Sequence, residues 1–365
     1  MPRTFASVLD AGRFFVPGPT EVRPEILEAM SRPMIFHRSG AMHELMQRVT
    51  ARLGPIFGTR RPVHVLTTSG TGAMELAIRN GTRNRVLSIV QGDFGERFAN
   101  MAEQCGRSVV RLTCEAGQVV PPEKIRDALR ANRFDAVTMT QNETATGVFT
   151  DVGPIAALVR ERDDCLLLVD AVSSAGGAPI DLDAWPADAV VSASQKSLAL
   201  PPGLAFAAVS ERFVERARTL DDRGVYLDVL RFEEFAAKAE SPTTPAVSLF
   251  FALDRQLADI EAESLPARFA RHVAMRDRCT AWVERAETSG SGVSLVAVAG
   301  HRSPTVTCIR VADNTHVLQK MRDRGYELGG GQKPLAKTSF RIGHMGDHTV
   351  RGVESVLAAL EEVLR

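Results

Sequence analysis

Seven short, nearly uninterrupted apolar runs punctuate the first part of the chain, at residues 63–67, 85–90, 108–112, 136–140, 166–171, 189–194 and 204–210. Between them lie stretches with the apolar spacing of amphipathic helices, among them 94–104, 122–130 and 154–161. A strand that is apolar on both faces must be covered on both, and intervening helices supply the cover. The pattern therefore predicts an α/β fold built on a mostly parallel sheet. Sheets of this kind bind ligands beyond the carboxyl ends of their strands. Residues that follow an apolar run are thus the first place to look for chemistry.

From Pro245 the character changes. Residues 246–284 are helix-permissive, with Pro266 as the one obvious breaker, and Ser289-Gly290-Ser291-Gly292 makes a flexible turn. Strand-like runs follow at 293–299, 305–311 and 339–342, with helical patterns at 316–324 and 350–364. A length of 365 residues favours more than one domain. The expected organisation is an extended arm at 1–20, a large domain at 21–262 and a small C-terminal α/β domain at 263–365. There is no internal repeat or low-complexity tract.

Lys+Arg and Asp+Glu balance at 44 each, so no bulk field favours nucleic acid or an anionic membrane. No stretch approaches the roughly 20 apolar residues of a membrane span. Residues 1–7 lack the apolar core of a secretory leader, and the C-terminal Arg365 does not complete a Ser-Lys-Leu address, so a cytoplasmic protein is expected. Cys105, Cys114, Cys165, Cys279 and Cys308 are scattered and form no CxxC, which suggests neither a disulfide framework nor a metal site.

Two residues follow apolar runs with particular point. Asp170 ends Leu166-Leu167-Leu168-Val169, and Lys196 follows Ala189–Ala193 and precedes Pro201-Pro202-Gly203. Burying an unpaired ammonium is costly, so a lysine there either pairs with a carboxylate or serves as a neutral amine. An amine for an aldehyde and an acid for a ring nitrogen are the minimal equipment for pyridoxal phosphate. At Thr68-Ser69-Gly70-Thr71-Gly72 a small-residue turn opens a helix and suits an anion, though it serves equally as a plain strand-to-helix turn. It is not the GxGxxG dinucleotide fingerprint, which weighs against a nicotinamide dehydrogenase. Gln195 and Arg341 complete the set; alone, each has an ordinary structural use.

Together these segments resemble the class V aminotransferases of fold type I, near the alanine–glyoxylate and serine–pyruvate aminotransferases. The resemblance runs through Pro17-Gly18-Pro19-Thr20, Phe36-His37-Arg38-Ser39, Thr68–Glu75, Gln141-Asn142-Glu143-Thr144-Ala145-Thr146-Gly147, Val169–Gly177, Ser192–Gly203 and Arg341–Gly346. It implies a large domain with a mostly parallel seven-stranded sheet, a small C-terminal domain and pyridoxal 5'-phosphate as cofactor. It implies that Lys196 is the Schiff-base lysine and then the base and acid of the proton shift. Asp170 is implied to hold the ring nitrogen, with Val172 against one ring face and Phe94 against the other. Ser69, Gly70, Thr71 and Gln195 are implied to bind or flank the phosphate. Thr144 is implied to reach the ring hydroxyl or the substrate carboxylate, and Arg341 to grip the substrate α-carboxylate. Thr243, or its neighbour Thr244, matches a hydroxyl that reaches the partner subunit's phosphate, which implies a homodimer with shared sites.

The implied reaction moves an amino group from a small amino acid, serine or alanine, to a small 2-oxo acid, glyoxylate or pyruvate, by a ping-pong mechanism. Two departures stand out: Phe94 replaces the tryptophan of mammalian peroxisomal members, and Glu240 stands where those have a tyrosine. An aminotransferase for a phosphonate or phosphorylated substrate is an alternative, with Arg38 as its extra anion site. A lyase or cysteine desulfurase of the same fold is another. It is disfavoured because Gln195, not histidine, precedes the lysine. A catalytically silent protein is disfavoured by the presence of Lys196, Asp170 and Arg341 together. His37 and Arg38 border the expected mouth of the site.

Overall fold

The computed structural model describes residues 13–364; residues 1–12, most of the expected arm, and Arg365 lie outside the described residues. The expectations drawn from residues 1–7 and from the C-terminal residue fall there.

In chain order, β1 (Phe14–Phe15) is followed by α1 (Pro24–Met30) and α2 (Gly40–Phe57). An alternating run comes next: β2 (Val63–Leu66), α3 (Gly70–Gly81), β3 (Arg85–Val90), α4 (Asp93–Gln104), β4 (Ser108–Thr113), α5 (Pro122–Ala131) and β5 (Ala136–Thr140). The hairpin of β6 (Asn142–Glu143) and β7 (Val148–Phe149) precedes α6 (Val152–Arg160), β8 (Leu166–Asp170), β9 (Ala189–Ala193) and β10 (Ala205–Val209). Then come α7 (Glu211–Arg218), α8 (Val229–Ala236), α9 (Val247–Glu263) and α10 (Leu265–Thr288). The chain closes with β11 (Ser294–Leu295), β12 (Val306–Arg310), α11 (Asn314–Asp323), β13 (Glu327–Gly330), β14 (Ser339–Gly343) and α12 (Val350–Leu364).

The seven predicted strands form one sheet in the order β2-β10-β9-β8-β5-β3-β4. Only β10 runs antiparallel to its neighbours. Alternation along each strand feeds two cores. Leu167 and Val169 pack with Val137 and Val190 on one face, while Leu166 and Leu168 pack with Val86 and Val191 on the other. Burying each such leucine contributes about 2 kcal/mol, which explains strands that are apolar throughout.

A second, five-stranded sheet has the order β1-β13-β14-β12-β11. Phe15, Ile309 and Phe340 of this sheet pack with Met275 and Trp282 of α10 and Leu360 of α12. Its edge strand comes from the start of the described chain: Phe14 pairs with Glu327 and Phe15 with Leu328, in parallel. The segment read from sequence as an extended arm therefore contributes a strand. The run at 293–299 is paired as a strand only at Ser294–Leu295; beyond it, Val298 N–H donates to the carbonyl of Gly117 at 2.9 Å. The break foreseen at Pro266 falls at Ser264, whose φ of 68° ends α9, with the proline in the first turn of α10. Among the described residues no helix is long and apolar enough to cross a membrane.

Candidate active site

Asp170 and Lys196 follow from the pairing of β8 with β9. Asp170 lies opposite Val191, and the chain continues from there to Lys196 around the sheet's carboxyl edge. The loop is held tightly: the Lys196 carbonyl accepts Ala199 N–H at 2.8 Å and the Thr20 hydroxyl at 3.0 Å. Ser194 Oγ donates to the Pro201 carbonyl at 2.7 Å. The Lys196 Nζ donates to the Pro17 carbonyl. It lies 5.7 Å from the centre of the Phe94 ring. At Gly18, with φ of 112°, a Cβ would sit 2.6 Å from Lys196 Nζ, so the amine's path requires glycine there.

Lys196 is 8 % exposed and Asp170 2 %. Burial pulls the lysine down to about 8; Arg341 and Arg97 add repulsion, and Asp170 opposes both. Burial pushes Asp170 up to about 6 despite the Val172 N–H, which donates to its Oδ1 at 2.8 Å, and the attraction of Lys196. The pair is therefore electrostatically coupled, with an amine that is easily neutral and an acid that is ionised at neutral pH.

The start of α3 and β14 bring other predicted residues near this pair. Ser69 N-caps α3, and the side chains of Ser69 and Thr71 are exposed. A Cβ at Gly70 would meet Val172 Cγ2 at 3.0 Å and Ala193 Cβ at 3.2 Å, so α3 begins hard against the strand ends. Thr144 Oγ1 bonds Ser173 Oγ at 2.6 Å. Arg341, on β14, is 8 % exposed. It donates from Nε to the Gly330 carbonyl at 2.8 Å and from Nη1 to the Thr144 carbonyl at 3.2 Å. It thus ties the second sheet to the β6–β7 hairpin. Thr243 is half-buried and Thr244 exposed, between buried Ser241 and Pro245.

The Glu240 carboxylate pairs with Arg38 and, at 3.1 Å, with His43 Nε2. Arg38 also lies over the Phe235 ring at 5.2 Å. Half-buried His37 meets Phe36 edge-on at 5.0 Å, and Ser39 caps α2 by accepting Met42 N–H at 3.3 Å.

Two residues at the site were not singled out from sequence. Glu143, fully buried, lies under the start of α4. Arg268, also buried, donates to the carbonyls of Gly176 at 2.9 Å and Ser197 at 2.8 Å, bracing the lysine loop from α10. An acid one strand-end away from Asp170 was the available signal for Glu143. Arg268, in a charge-rich helix, carried none.

Pyridoxal phosphate fits these residues. The start of α3, with its positive dipole end and the two exposed hydroxyls of Ser69 and Thr71, suits a phosphate. Asp170 suits a protonated ring nitrogen and Lys196 an aldehyde. Among the described residues Gln195 Oε1 is buried without a hydrogen-bond partner, an arrangement that a bound polar group resolves.

A profile of the family described as Aminotransferase class-V matches residues 17–312. The chain is similar to an uncharacterised aminotransferase of Methanocaldococcus jannaschii, 37% identical over 96% of this chain and 92% of the relative. It is also similar to the L-aspartate–glyoxylate aminotransferase of Paracoccus denitrificans, 32% identical over 96% of this chain and 90% of that one. Among solved structures, the alanine–glyoxylate aminotransferase from Nostoc sp. superposes with a TM-score of 0.89 at 32% identity, covering 97% of this chain and 95% of that one.

Proposed function

Since the chain belongs to the class V aminotransferases, which are pyridoxal-phosphate enzymes of fold type I, we propose that it moves the amino group of a small amino acid, serine or alanine, to glyoxylate or a similar 2-oxo acid. The Paracoccus and Nostoc relatives differ in the donor they are named for and share glyoxylate as acceptor. The observation that carries the reading is the buried Lys196 amine, drawn down to about 8 beside Asp170 on the adjoining strand end.

Bound pyridoxal phosphate supplies an aldehyde for the amino group and a ring that accepts the electron pair left when the substrate's α C–H bond breaks. Asp170, ionised and steadied by the Val172 N–H, keeps a proton on the ring nitrogen. Lys196, released as a neutral amine, takes the α-proton and returns it; Pro17 and Phe94 limit where its Nζ can go. Ser69, Gly70, Thr71 and Gln195 hold the phosphate, and Val172 and Phe94 flank the ring. Arg341 spends Nε and Nη1 on main-chain carbonyls and presents Nη2 to the substrate carboxylate. Thr144 lies alongside it.

The same reading makes the enzyme a homodimer in which Thr243 or Thr244 reaches the partner subunit's phosphate. Met34, Phe36 and Val225 are 69%, 66% and 82% exposed, apolar side chains that a partner would cover. We place the domain division at 262/263, and a cytoplasmic location suits five unpaired cysteines. Two rival readings lose support. Arg38, the candidate for a second anion, is committed to Glu240. Burial raises the pKa of all five thiols, against a desulfurase nucleophile.

The test is the visible spectrum of the purified holoenzyme with L-alanine or L-serine added. The proposal expects the band to bleach with one of them and to return on adding glyoxylate. A band indifferent to both donors would exclude the proposed substrates.

A further inference from the structure

Glu143 takes no part in the roles above, yet its carboxylate is among the most deeply placed charges in the protein, with no exposed surface. It accepts main-chain N–H groups from two directions. Phe94 N–H reaches Oε1 at 3.3 Å and Oε2 at 3.2 Å, and Gly95 N–H reaches Oε2 at 3.0 Å; both belong to the first turn of α4. From its own hairpin, Ala145 N–H reaches Oε1 at 3.1 Å. A carboxylate on the open N–H end of a helix gains from both the bonds and the dipole.

The backbone is shaped around it. Gly92, just before α4, is extended with φ of 165°, a conformation open to any residue. A Cβ there would nevertheless lie 2.6 Å from Glu143 Cγ and Cδ. Glycine at 92 therefore answers to the carboxylate rather than to the turn. The residue fixed most directly by this arrangement is Phe94, whose ring faces Lys196 Nζ at 5.7 Å. The charges felt at Glu143 and Arg341 link them to the same site: Asp170 acts on Glu143, and Glu143 on Arg341.

We infer that Glu143 is a positioning residue: by clamping the first turn of α4 it sets the Phe94 ring where the pyridoxal ring binds. This rests on the aminotransferase reading. Were the carboxylate merely to stabilise the fold, its loss would lower the melting temperature and leave cofactor affinity of the folded protein alone.

The test is a double-mutant cycle on the cofactor dissociation constant, read by visible absorbance on full-length protein shown by circular dichroism to be folded. Glu143→Gln should weaken binding about tenfold, and in the Phe94→Ala background the same change should weaken it by less than about twofold. An equal effect in both backgrounds, or none in either, overturns the inference. Should Glu143→Gln not fold, Gly92→Ala displaces the carboxylate while keeping its charge, and the same non-additivity with Phe94→Ala is required of it. Absence of any visible band in the unaltered protein would sink the aminotransferase reading itself; a band with independent effects sinks this inference alone.

Discussion

At the scale of single residues, desolvation governs the chemistry. Burial of Lys196 favours its neutral form down to about pH 8, whereas an exposed lysine holds its proton to about 10.5. The unfolded chain binds the proton over that interval and the folded chain does not, so this group's contribution to stability rises with pH there. Asp170 and Glu143, raised to about 6 and about 7, act in the opposite sense. Their contribution is present below the ordinary carboxylate range and lost as pH rises through those values. A reactivity prediction follows for Lys196. The rate at which the apoprotein takes up added pyridoxal phosphate, followed by its visible band, should climb with pH around a midpoint near 8. A midpoint near 10 would mean that the amine is solvated. Lys196 and Asp170 were legible in the sequence because each ends an apolar run, and an ionisable group in that position needs a use. For Glu143 only its place beyond an apolar run was legible; nothing local in Asn142-Glu143-Thr144 tells that the helix start after β3 will settle on it.

Between elements, the sequence is most readable where a segment's own pattern decides its structure. The seven apolar runs became the seven strands of the main sheet; all but the half-buried edge strand β4 are buried on both faces, whichever neighbours they acquire. Residues 350–364 became α12 on the strength of their own amphipathic spacing. The failures share one cause. β1 is two residues long and exists only because Glu327–Leu328, more than three hundred positions later, presents an edge to it. β13, with two glycines among its four residues, lacks an intrinsic strand signal and is held between β1 and β14. Arg268 belongs to the same class. Its worth lies in the carbonyls of Gly176 and Ser197 and the carboxylate of Asp347, all supplied by distant segments.

For the whole molecule, the two sheets meet at the proposed site. Arg341 reaches from the second sheet to the Thr144 carbonyl, and the segment after β1 delivers Pro17, Gly18 and Thr20 to the lysine loop. If a dimer completes the site, a phosphate contact arrives from the other chain. Complementation tests that arrangement. Lys196→Ala homodimers should be inactive, by at least about a hundredfold on loss of a general base. A protein with Thr243→Val and Thr244→Val together should bind cofactor weakly. Co-expressed, the two chains should form mixed dimers in which one site has an intact lysine and an intact partner hydroxyl, and activity should exceed the sum of the separate variants. Activity equal to that sum would mean that each chain builds its site alone.

The central claim, that Lys196 carries the cofactor, is tested most directly by reducing the purified holoenzyme with borohydride and mapping the modified peptide by mass spectrometry. The account predicts a phosphopyridoxyl group on Nζ of Lys196 and none on the Lys196→Ala protein. The group on another lysine, or its persistence in that variant, would contradict it.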